Sequence, residues 1–235
     1  MFILGRPAGG KSELIDFMKK NGDADRTDKY HIGRFEEVDD FKWLAELFEE
    51  DDRRESRGEK RIHSTPGKGG YNLLDPKLRG KLIPRFNKTI SEKYLGRPKF
   101  YDTGTVMIEF ARGIGDGFKY SLDQFDPSIL KDSAIIYIDV SFLESVRKND
   151  ARYLEAQKNS ILFHKVPDED MHGFFKDNDW KEITANKPSG YLLLNGIDVP
   201  FVTMNNEPEL TENSLLERRY KQAFDALWKL YERRK

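Results

Sequence analysis

The first 22 residues contain the pattern that most constrains the fold: an apolar run, a glycine-rich turn and a helical stretch in direct succession. Residues 2–4 are all apolar, as in a strand that is buried on both faces. Residues 5–10 interrupt that run with glycine at its first and last two positions. A helix is then predicted from Lys11, and it ends at Asn21-Gly22, where a left-handed cap is favoured.

The rest of the chain continues to alternate predicted strands with predicted helices. Residues 191–194 and 197–204 are predicted to pair as a hairpin about Asn195-Gly196, and Pro200 indicates that the second of these strands lies at a sheet edge. This alternation favours an α/β fold with a mostly parallel sheet. Five strands are counted for that sheet, near 2–4, 30–33, 105–109, 134–140 and 199–204.

Helical spacing of apolar side chains predicts further helices, including residues 38–48 and a C-terminal helix that begins at Ser214. A capping box, in which Ser141 is followed three residues later by Glu144, predicts another helix start. Residues 49–72 are predicted as a polar loop, and residues 157–190 as a polar, irregular segment.

Composition excludes several classes of protein. The chain has 40 Lys and Arg against 41 Asp and Glu, and a net charge of −1 does not favour coating nucleic acid or an anionic membrane. The lack of cysteine excludes disulfides, cysteine-based zinc sites and thiol nucleophiles. No apolar run approaches the roughly 18 residues of a membrane span, and the apolar N-terminal run is too short for a signal peptide. We therefore expect one cytoplasmic domain over residues 1–235.

The glycine-rich turn carries the clearest chemical signal. It matches G-x-x-x-x-G-K-[ST] at every fixed position, and it lies between a strand and a helix, as that pattern requires. Its glycines allow backbone N–H groups to surround phosphate oxygens, and the helix N-terminus adds partial positive charge. The simpler interpretation is a glycine-rich turn with Lys-Ser there by chance. The nucleotide-binding residues predicted are Gly5, Arg6, Pro7, Ala8, Gly9, Gly10, Lys11 and Ser12, with Lys11 reaching the β- and γ-phosphates and Ser12 binding Mg²⁺.

On residues 5–12, 106–112 and 147–152 the chain resembles the P-loop kinases of nucleosides, nucleotides and small metabolites. The resemblance implies a P-loop NTPase fold, an α/β/α sandwich of three layers whose five strands take the order 2-3-1-4-5. It also implies a helical lid over approximately 145–185. A GTPase is not favoured, because the Asn-Lys pairs at 87–88 and 186–187 lack the Asp of N-K-x-D.

The same resemblance implies roles for charged residues beyond the glycine-rich turn. Glu109, at the end of the third strand, would bind the Mg²⁺ shell or orient an acceptor hydroxyl, and Arg112 would face phosphate or acceptor. Arg147 and Arg152 of the lid would stabilise charge on the transferring phosphoryl group. The simpler interpretations are a solvated strand end and a charged helix face. Asp139 is the rival to Glu109, and the implied strand order disfavours it.

These observations predict an ATP- and Mg²⁺-dependent kinase of a small molecule, with a nucleoside, nucleotide or related metabolite as acceptor. No nucleic acid or membrane partner is expected, and a homodimer is left open. The alternative is a nucleotide-binding regulatory ATPase that acts on a protein partner, which exposed apolar faces on residues 38–48 or the C-terminal helix would favour. Residues 205–208 are placed near adenine by resemblance alone. His164 and His172 match no metal-ligand spacing.

Overall fold

The computed structural model describes residues 1–159 and 165–234, without the side chains of residues 98, 101 and 155–159. The strands are β1 (Phe2–Gly5), β2 (Arg34–Asp39), β3 (Ser64–Gly67), β4 (Gly70–Leu73), β5 (Gly104–Phe110), β6 (Ile135–Asp139), β7 (Ser189–Leu194) and β8 (Ile197–Asn205). The helices are α1 (Lys11–Lys20), α2 (Asp23–Tyr30), α3 (Phe41–Ser56), α4 (Ile83–Ile90), α5 (Pro98–Tyr101), α6 (Phe118–Leu122), α7 (Pro127–Leu130), α8 (Phe142–Asn159), α9 (Asp168–Phe174), α10 (Trp180–Ile183) and α11 (Asn213–Arg234).

A mostly parallel sheet forms the centre of the molecule, in the order β2-β5-β1-β6-β8-β7. The strands from β2 to β8 in this order pair in parallel, and β7 pairs antiparallel with β8 at the edge. The predicted α/β class and mostly parallel sheet are therefore confirmed. The predicted count of five strands is wrong, because β7 adds a sixth strand beside the five that take the order 2-3-1-4-5.

Helices cover both faces of this sheet. Along β1, Phe2 and Leu4 enter one apolar cluster with the buried side chains of α4, α6 and α7. Ile3 points the other way, into a second cluster with α1, α2 and α11. This alternation is the period of two that a strand imposes, and it explains why β1 is apolar at every position. No helix within the described ranges is long and apolar enough to cross a bilayer.

The second strand does not lie where the sequence predicted it. Residues 23–30 form α2, and β2 begins only at Arg34. Tyr30 is buried on the helix, edge-on to Phe17 and Phe224, so its aromatic ring contributes to a helix contact rather than to a strand. The predicted strand at 30–33 is therefore wrong.

The interpretation of Pro200 also changes. The edge strand is β7, and β8 lies between β6 and β7. Pro200 is opposite Tyr191 of β7, whereas pairing with β6 begins one residue later, at Phe201. The proline therefore lies before the β6 ladder begins, where its missing N–H removes no hydrogen bond to β6.

Two segments predicted to be irregular are ordered by long-range contacts. Within residues 49–72, α3 extends to Ser56 and β3 pairs with β4. The buried carboxylate of Asp51 accepts hydrogen bonds from three successive backbone N–H groups, of residues 62–64, and so fixes the start of that hairpin. Within residues 165–185, Trp180 is buried and stacks on Tyr137 of β6 at 4.4 Å between ring centroids. This part of the predicted lid is therefore packed into the core.

Candidate phosphate-binding site

The turn between β1 and α1, residues 5–12, is called the phosphate loop below. Ala8 and Gly10 have left-handed φ angles of 52° and 107°. At Gly10 a Cβ atom would collide with the side-chain amide of Asn206, so this position requires glycine for two reasons. At Gly5 a Cβ atom would lie 2.6 Å from the carbonyl oxygen of Ile138, on the neighbouring strand β6. The loop is therefore closely fitted to the strands around it.

Several backbone N–H groups of this loop have no partner. Helix α1 begins at Lys11, and its first internal hydrogen bond runs from the N–H of Leu14 to the carbonyl of Gly10. These unpaired donors, together with the partial positive charge of the helix N-terminus, form a site suited to an anion. Within the part of the chain that the structure describes, the N–H groups of this loop and of the first turn of α1 that donate to no carbonyl or side chain are those of Arg6, Ala8, Gly10, Lys11, Ser12 and Glu13.

Lys11 and Ser12 both face Glu109, at the end of β5. The Lys11 ammonium donates to the carbonyl of Arg6 at 2.9 Å and lies 3.9 Å from Oε1 of Glu109. The hydroxyl of Ser12 donates to the same Glu109 oxygen at 3.3 Å. Burial lowers the pKa of Lys11, and the Glu109 carboxylate opposes that effect. The ends of the neighbouring strands β1 and β5 thus place the Lys11 ammonium and the Ser12 hydroxyl beside the Glu109 carboxylate.

The donor set fits a magnesium ion that is completed by phosphate oxygens. Mg²⁺ in nucleotide sites takes one or two protein oxygen ligands and keeps water and phosphate oxygens for the rest. Ser12 and Glu109 supply a hydroxyl and a carboxylate. No cluster of three or more His, Asp or Glu side chains that could hold a metal occurs among the described residues. The protein ligands described here therefore do not form a closed metal cage by themselves.

Two further carboxylates, at the end of the adjoining strand β2, affect the pKa of Glu109. Asp39 is the partner of Glu109 in the β2–β5 ladder, and Asp40 follows it. Burial raises the pKa of Glu109; Lys11 lowers it, and Asp39 and Asp40 raise it. Asp139, the rival acidic residue, ends β6 on the other side of β1, where its charged neighbours are Lys181, Arg6 and Glu207. The structure thus brings Glu109, and not this rival, to the Lys11 ammonium.

Arg112 lies inside the protein and does not face the loop surface. Its Nε donates to Ser121 at 2.9 Å, its Nη1 to the Asp40 carboxylate at 2.7 Å, and its Nη2 to the carbonyl of Arg79 at 3.1 Å. The side chain has no exposed surface. The guanidinium is therefore directed at protein groups inside the molecule, and its expected role toward phosphate or acceptor stays a prediction. Arg112 joins the ends of β5 and β2 and fixes Asp40 near Lys11.

We expect Arg112→Leu to destabilise the fold by about 3–5 kcal/mol, because it leaves two nearly buried carboxylates without their cation. Asp40 and Asp116 lie 2.7 and 3.4 Å from the guanidinium. Urea unfolding measures the change. The control is Arg85→Leu, which breaks an exposed pair with Glu46 and is expected to cost at most about 1 kcal/mol. Equal, small losses in both variants would contradict a structural role for Arg112.

The two arginines predicted for the lid point in different directions. Helix α8 runs without a break from Phe142 to Asn159, so Arg147 and Arg152 lie roughly 140° apart around its axis. Arg147 is half-exposed and pairs with Glu144 at 2.7 Å and with Glu209. Burial lowers the pKa of Lys11, and the partly buried Arg152 is close enough to lower it further. The two arginines therefore differ: Arg147 is paired with two carboxylates, whereas the positive charge of Arg152 acts on Lys11.

Helix α8 continues through Asn149 and Asp150, although both residue types compete with helical hydrogen bonding. The side chain of Asn149 bonds outside its own helix: it donates to the carbonyl of Val166 at 2.8 Å and accepts from the N–H of Val166 at 3.1 Å. Lys148, on the same helix, is buried, and its ammonium lies 3.4 Å from the carboxylate of Glu13 of α1. Helix α8 is thus tied to both the phosphate-loop helix and the segment before α9.

Sequence reasoning missed the residues that hold the phosphate loop from outside. The hydroxyl of Ser145 donates to the carbonyl of Pro7 at 2.6 Å, and the amide of Asn206 donates to the carbonyl of Gly9 at 3.0 Å. Arg6 donates to the carbonyl of Val140. These partners lie more than 130 positions from the loop along the chain, and no local pattern indicates such contacts.

Two cavities lie away from this site. The larger, of about 890 Å³, is lined by His31, Gly104 and Ala134, at the ends of β5 and β6 opposite to the phosphate loop. The smaller, of about 440 Å³, lies between residues 113–117 and 177–179. Neither is lined by a residue of the loop, so neither supplies an acceptor pocket beside it.

The two histidines considered for a metal site are not brought together by any described contact. His172 packs edge-on to Phe142. His164 lies outside the described residues.

Comparison of the sequence with protein-family models finds no match, and comparison with curated proteins finds no similar chain. What this site does must therefore be argued from its own geometry.

Proposed function

We propose that this chain is an ATP- and Mg²⁺-dependent phosphotransferase that transfers the γ-phosphate of ATP to a small molecule. The observation that carries the proposal is the group of unpartnered N–H donors around Lys11, beside the Ser12–Glu109 pair. The strand order, with this loop at the end of the β1 strand, is the one expected for the P-loop kinase fold. Together they supply an anion site, a cation and magnesium ligands at one sheet edge.

The roles of the residues follow from their chemistry. The free N–H groups of the loop bind the β- and γ-phosphate oxygens, and Lys11 turns from the carbonyl of Arg6 to the same oxygens. Mg²⁺, when bound through Ser12 and Glu109, neutralises charge on the phosphates. Arg152 adds a second cation from α8, on the oxygens of the group in transfer.

The acceptor is expected on the side of β2. Glu109 and Asp39 lie on adjoining strand ends there, and Asp40 is held by Arg112. Arg112 was predicted to bind phosphate on the acceptor, but its guanidinium is already bonded to the Asp40 carboxylate. An acceptor that carries phosphate would therefore not be bound by this arginine. Nucleosides and other hydroxyl-bearing metabolites are therefore the acceptors to test first.

The rival function, a regulatory ATPase, draws little support from the surfaces that were expected to distinguish it. The apolar face of α11 is packed against the sheet, with Tyr220, Phe224 and Leu227 buried. In α3, Leu44 is buried in a small cluster, and Phe41 is 53% exposed. An extended apolar recognition surface on these helices is therefore not favoured.

The test is ADP formation by the purified chain with ATP, Mg²⁺ and a panel of hydroxyl-bearing and phosphorylated metabolites. We expect one chemical class of acceptor to stimulate ADP formation strongly and removal of Mg²⁺ to abolish the stimulation. Slow ADP formation that no metabolite changes would contradict a small-molecule kinase.

We expect Arg152→Ala to lower kcat by about 10²-fold while changing ATP affinity little, because its charge acts on the transferring group. The matched variant Arg147→Ala removes an arginine from the same helix that is paired with Glu144 and Glu209, and we expect kcat to fall less than about threefold. Steady-state kinetics with the identified acceptor, together with calorimetry of ATP binding, makes the comparison. Equal losses of kcat in the two variants would contradict a role for Arg152 that Arg147 does not share.

A further inference from the structure

The direction of each free N–H in the phosphate loop is set by the carbonyl of the preceding residue. A trans peptide unit is planar, and its C=O and N–H point in opposite directions. The carbonyl of Pro7 shares a peptide unit with the N–H of Ala8, and the carbonyl of Gly9 shares one with the N–H of Gly10. When these carbonyls are held on the outside of the loop, the N–H groups of Ala8 and Gly10 therefore point in the opposite direction, into the loop.

Both carbonyls are held by buried side chains. Ser145 Oγ donates to the Pro7 carbonyl at 2.6 Å, and Asn206 Nδ2 donates to the Gly9 carbonyl at 3.0 Å. Ser145 has no exposed surface, and Asn206 is 3% exposed. The left-handed φ of Ala8, a residue with a Cβ, is a conformation that persists only when its surroundings enforce it.

Ser145 and Asn206, called the braces below, are themselves fixed by other residues. The Oδ1 atom of Asn206 accepts from Arg219 of α11 at 2.8 Å, and its backbone N–H donates to the carbonyl of Asp139 at 2.9 Å. Ser145 lies in the first turns of α8, where Glu207 accepts from both the N–H and the hydroxyl of Ser141. The segment after β8 thus fixes one brace directly and the helix of the other brace through its N-terminus.

We propose that Ser145 and Asn206 are positioning residues that hold the phosphate loop in its anion-binding form before a nucleotide arrives. The proposal rests on the proposed function, since it concerns how the same loop binds phosphate. In this role Asn206 affects phosphate binding through the Gly9 carbonyl of the loop, whereas resemblance alone places residues 205–208 near adenine. A ligand made only of phosphate separates these two roles.

The experiment measures the affinities of ATP and of inorganic tripolyphosphate by calorimetry for Ser145→Ala, Asn206→Ala and Asn206→Asp. We expect Ser145→Ala and Asn206→Ala to bind both ligands about 5- to 10-fold more weakly, by the same factor for each ligand, as loss of one hydrogen bond implies. Asn206→Asp keeps the shape and the Arg219 contact, but it replaces the donor to Gly9 by a negative charge that repels both the carbonyl and the phosphates, so we expect a larger loss of affinity for both ligands than in Asn206→Ala.

The controls remove bonds of the same kind far from the loop. Ser133→Ala deletes a buried hydroxyl that donates to the carbonyl of Ile129 at 2.7 Å, and Asn87→Ala deletes an amide that donates to the carbonyl of Gln124 at 2.8 Å. We expect both to keep wild-type affinities, whatever their thermal unfolding temperatures. Affinity that merely follows unfolding temperature across all variants would overturn the positioning role.

The remaining outcomes separate the two proposals. Wild-type affinities for tripolyphosphate in the brace variants would overturn the braces and leave the proposed function standing. Weaker binding of ATP with unchanged binding of tripolyphosphate in Asn206→Ala would overturn the brace role in favour of an adenine contact. If the wild-type chain binds neither ligand, the proposed function fails and this inference fails with it.

Discussion

Lys11→Ala is expected to abolish phosphoryl transfer, with kcat lower by about 10³-fold and ATP affinity weakened. The lysine is 6% exposed, and its ammonium donates to the carbonyl of Arg6 within the phosphate loop. Because charge builds up on the phosphate oxygens during transfer, loss of a preorganised cation there raises the barrier more than it weakens binding. Kinetics with the identified acceptor and calorimetry with ATP measure the two effects.

The matched control is Lys20→Ala, which removes an exposed lysine from the last turn of the same helix. It is expected to keep wild-type turnover and affinity. Circular dichroism and thermal unfolding check that both variants fold. A folded Lys11→Ala variant with wild-type turnover and ATP affinity would show that the loop is not the nucleotide site.

Glu109→Gln is expected to lower kcat by about 10²-fold and to remove the gain in ATP affinity that Mg²⁺ produces. The amide keeps the shape and can still accept from Ser12, which donates to Glu109 at 3.3 Å, but it lacks the charge that a hard cation prefers. ATP binding measured by calorimetry with and without Mg²⁺ isolates this effect from phosphate binding by the loop.

Asp139→Asn serves as the control for the carboxylate. Asp139 also ends a strand next to β1, but its charged neighbours are Lys181, Arg6 and Glu207. We expect this variant to keep the Mg²⁺ dependence of ATP binding. If Asp139→Asn loses that dependence and Glu109→Gln keeps it, the assignment of the magnesium ligand is reversed.

The elements that the sequence predicts well are those whose signals are local. Strand β1, the phosphate loop and helix α1 follow one another within residues 2–20, and each has its own pattern of apolar, glycine and polar residues. The strand at 135–139 is similarly recognisable because it is apolar over almost its whole length. The relative order of the strands followed from a resemblance and not from periodicity.

Where the sequence interpretation was wrong, long-range contacts determine the structure. The hairpin of β3 and β4 depends on the carboxylate of Asp51, which lies 11 to 13 positions earlier. Trp180 joins a polar segment to the core through its stack on Tyr137, 43 positions earlier by residue number. A single buried side chain of this kind organises a segment whose composition otherwise resembles a loop.

The residues of the candidate site also differ in how well the sequence predicts their positions. Lys11 and Ser12 are neighbours in the chain, and Glu109 was expected beside them because the resemblance places the third strand next to the first, as β5 and β1 are. Arg112 was expected by resemblance to face phosphate or acceptor, yet its side chain is buried and bonded to Asp40, 72 positions away. Charge patterns in a sequence do not reveal which cations are committed to buried partners.

The central claim, transfer of the γ-phosphate to a small molecule, is tested most directly by following that phosphate. ATP labelled at its γ-phosphate is incubated with the wild-type chain, Mg²⁺ and the metabolite panel, and the low-mass products are separated. We expect the label to enter one acceptor in an amount equal to the ADP formed, and we expect Lys11→Ala to give no labelled product. Label found only as inorganic phosphate, at a rate that no metabolite alters, would contradict it.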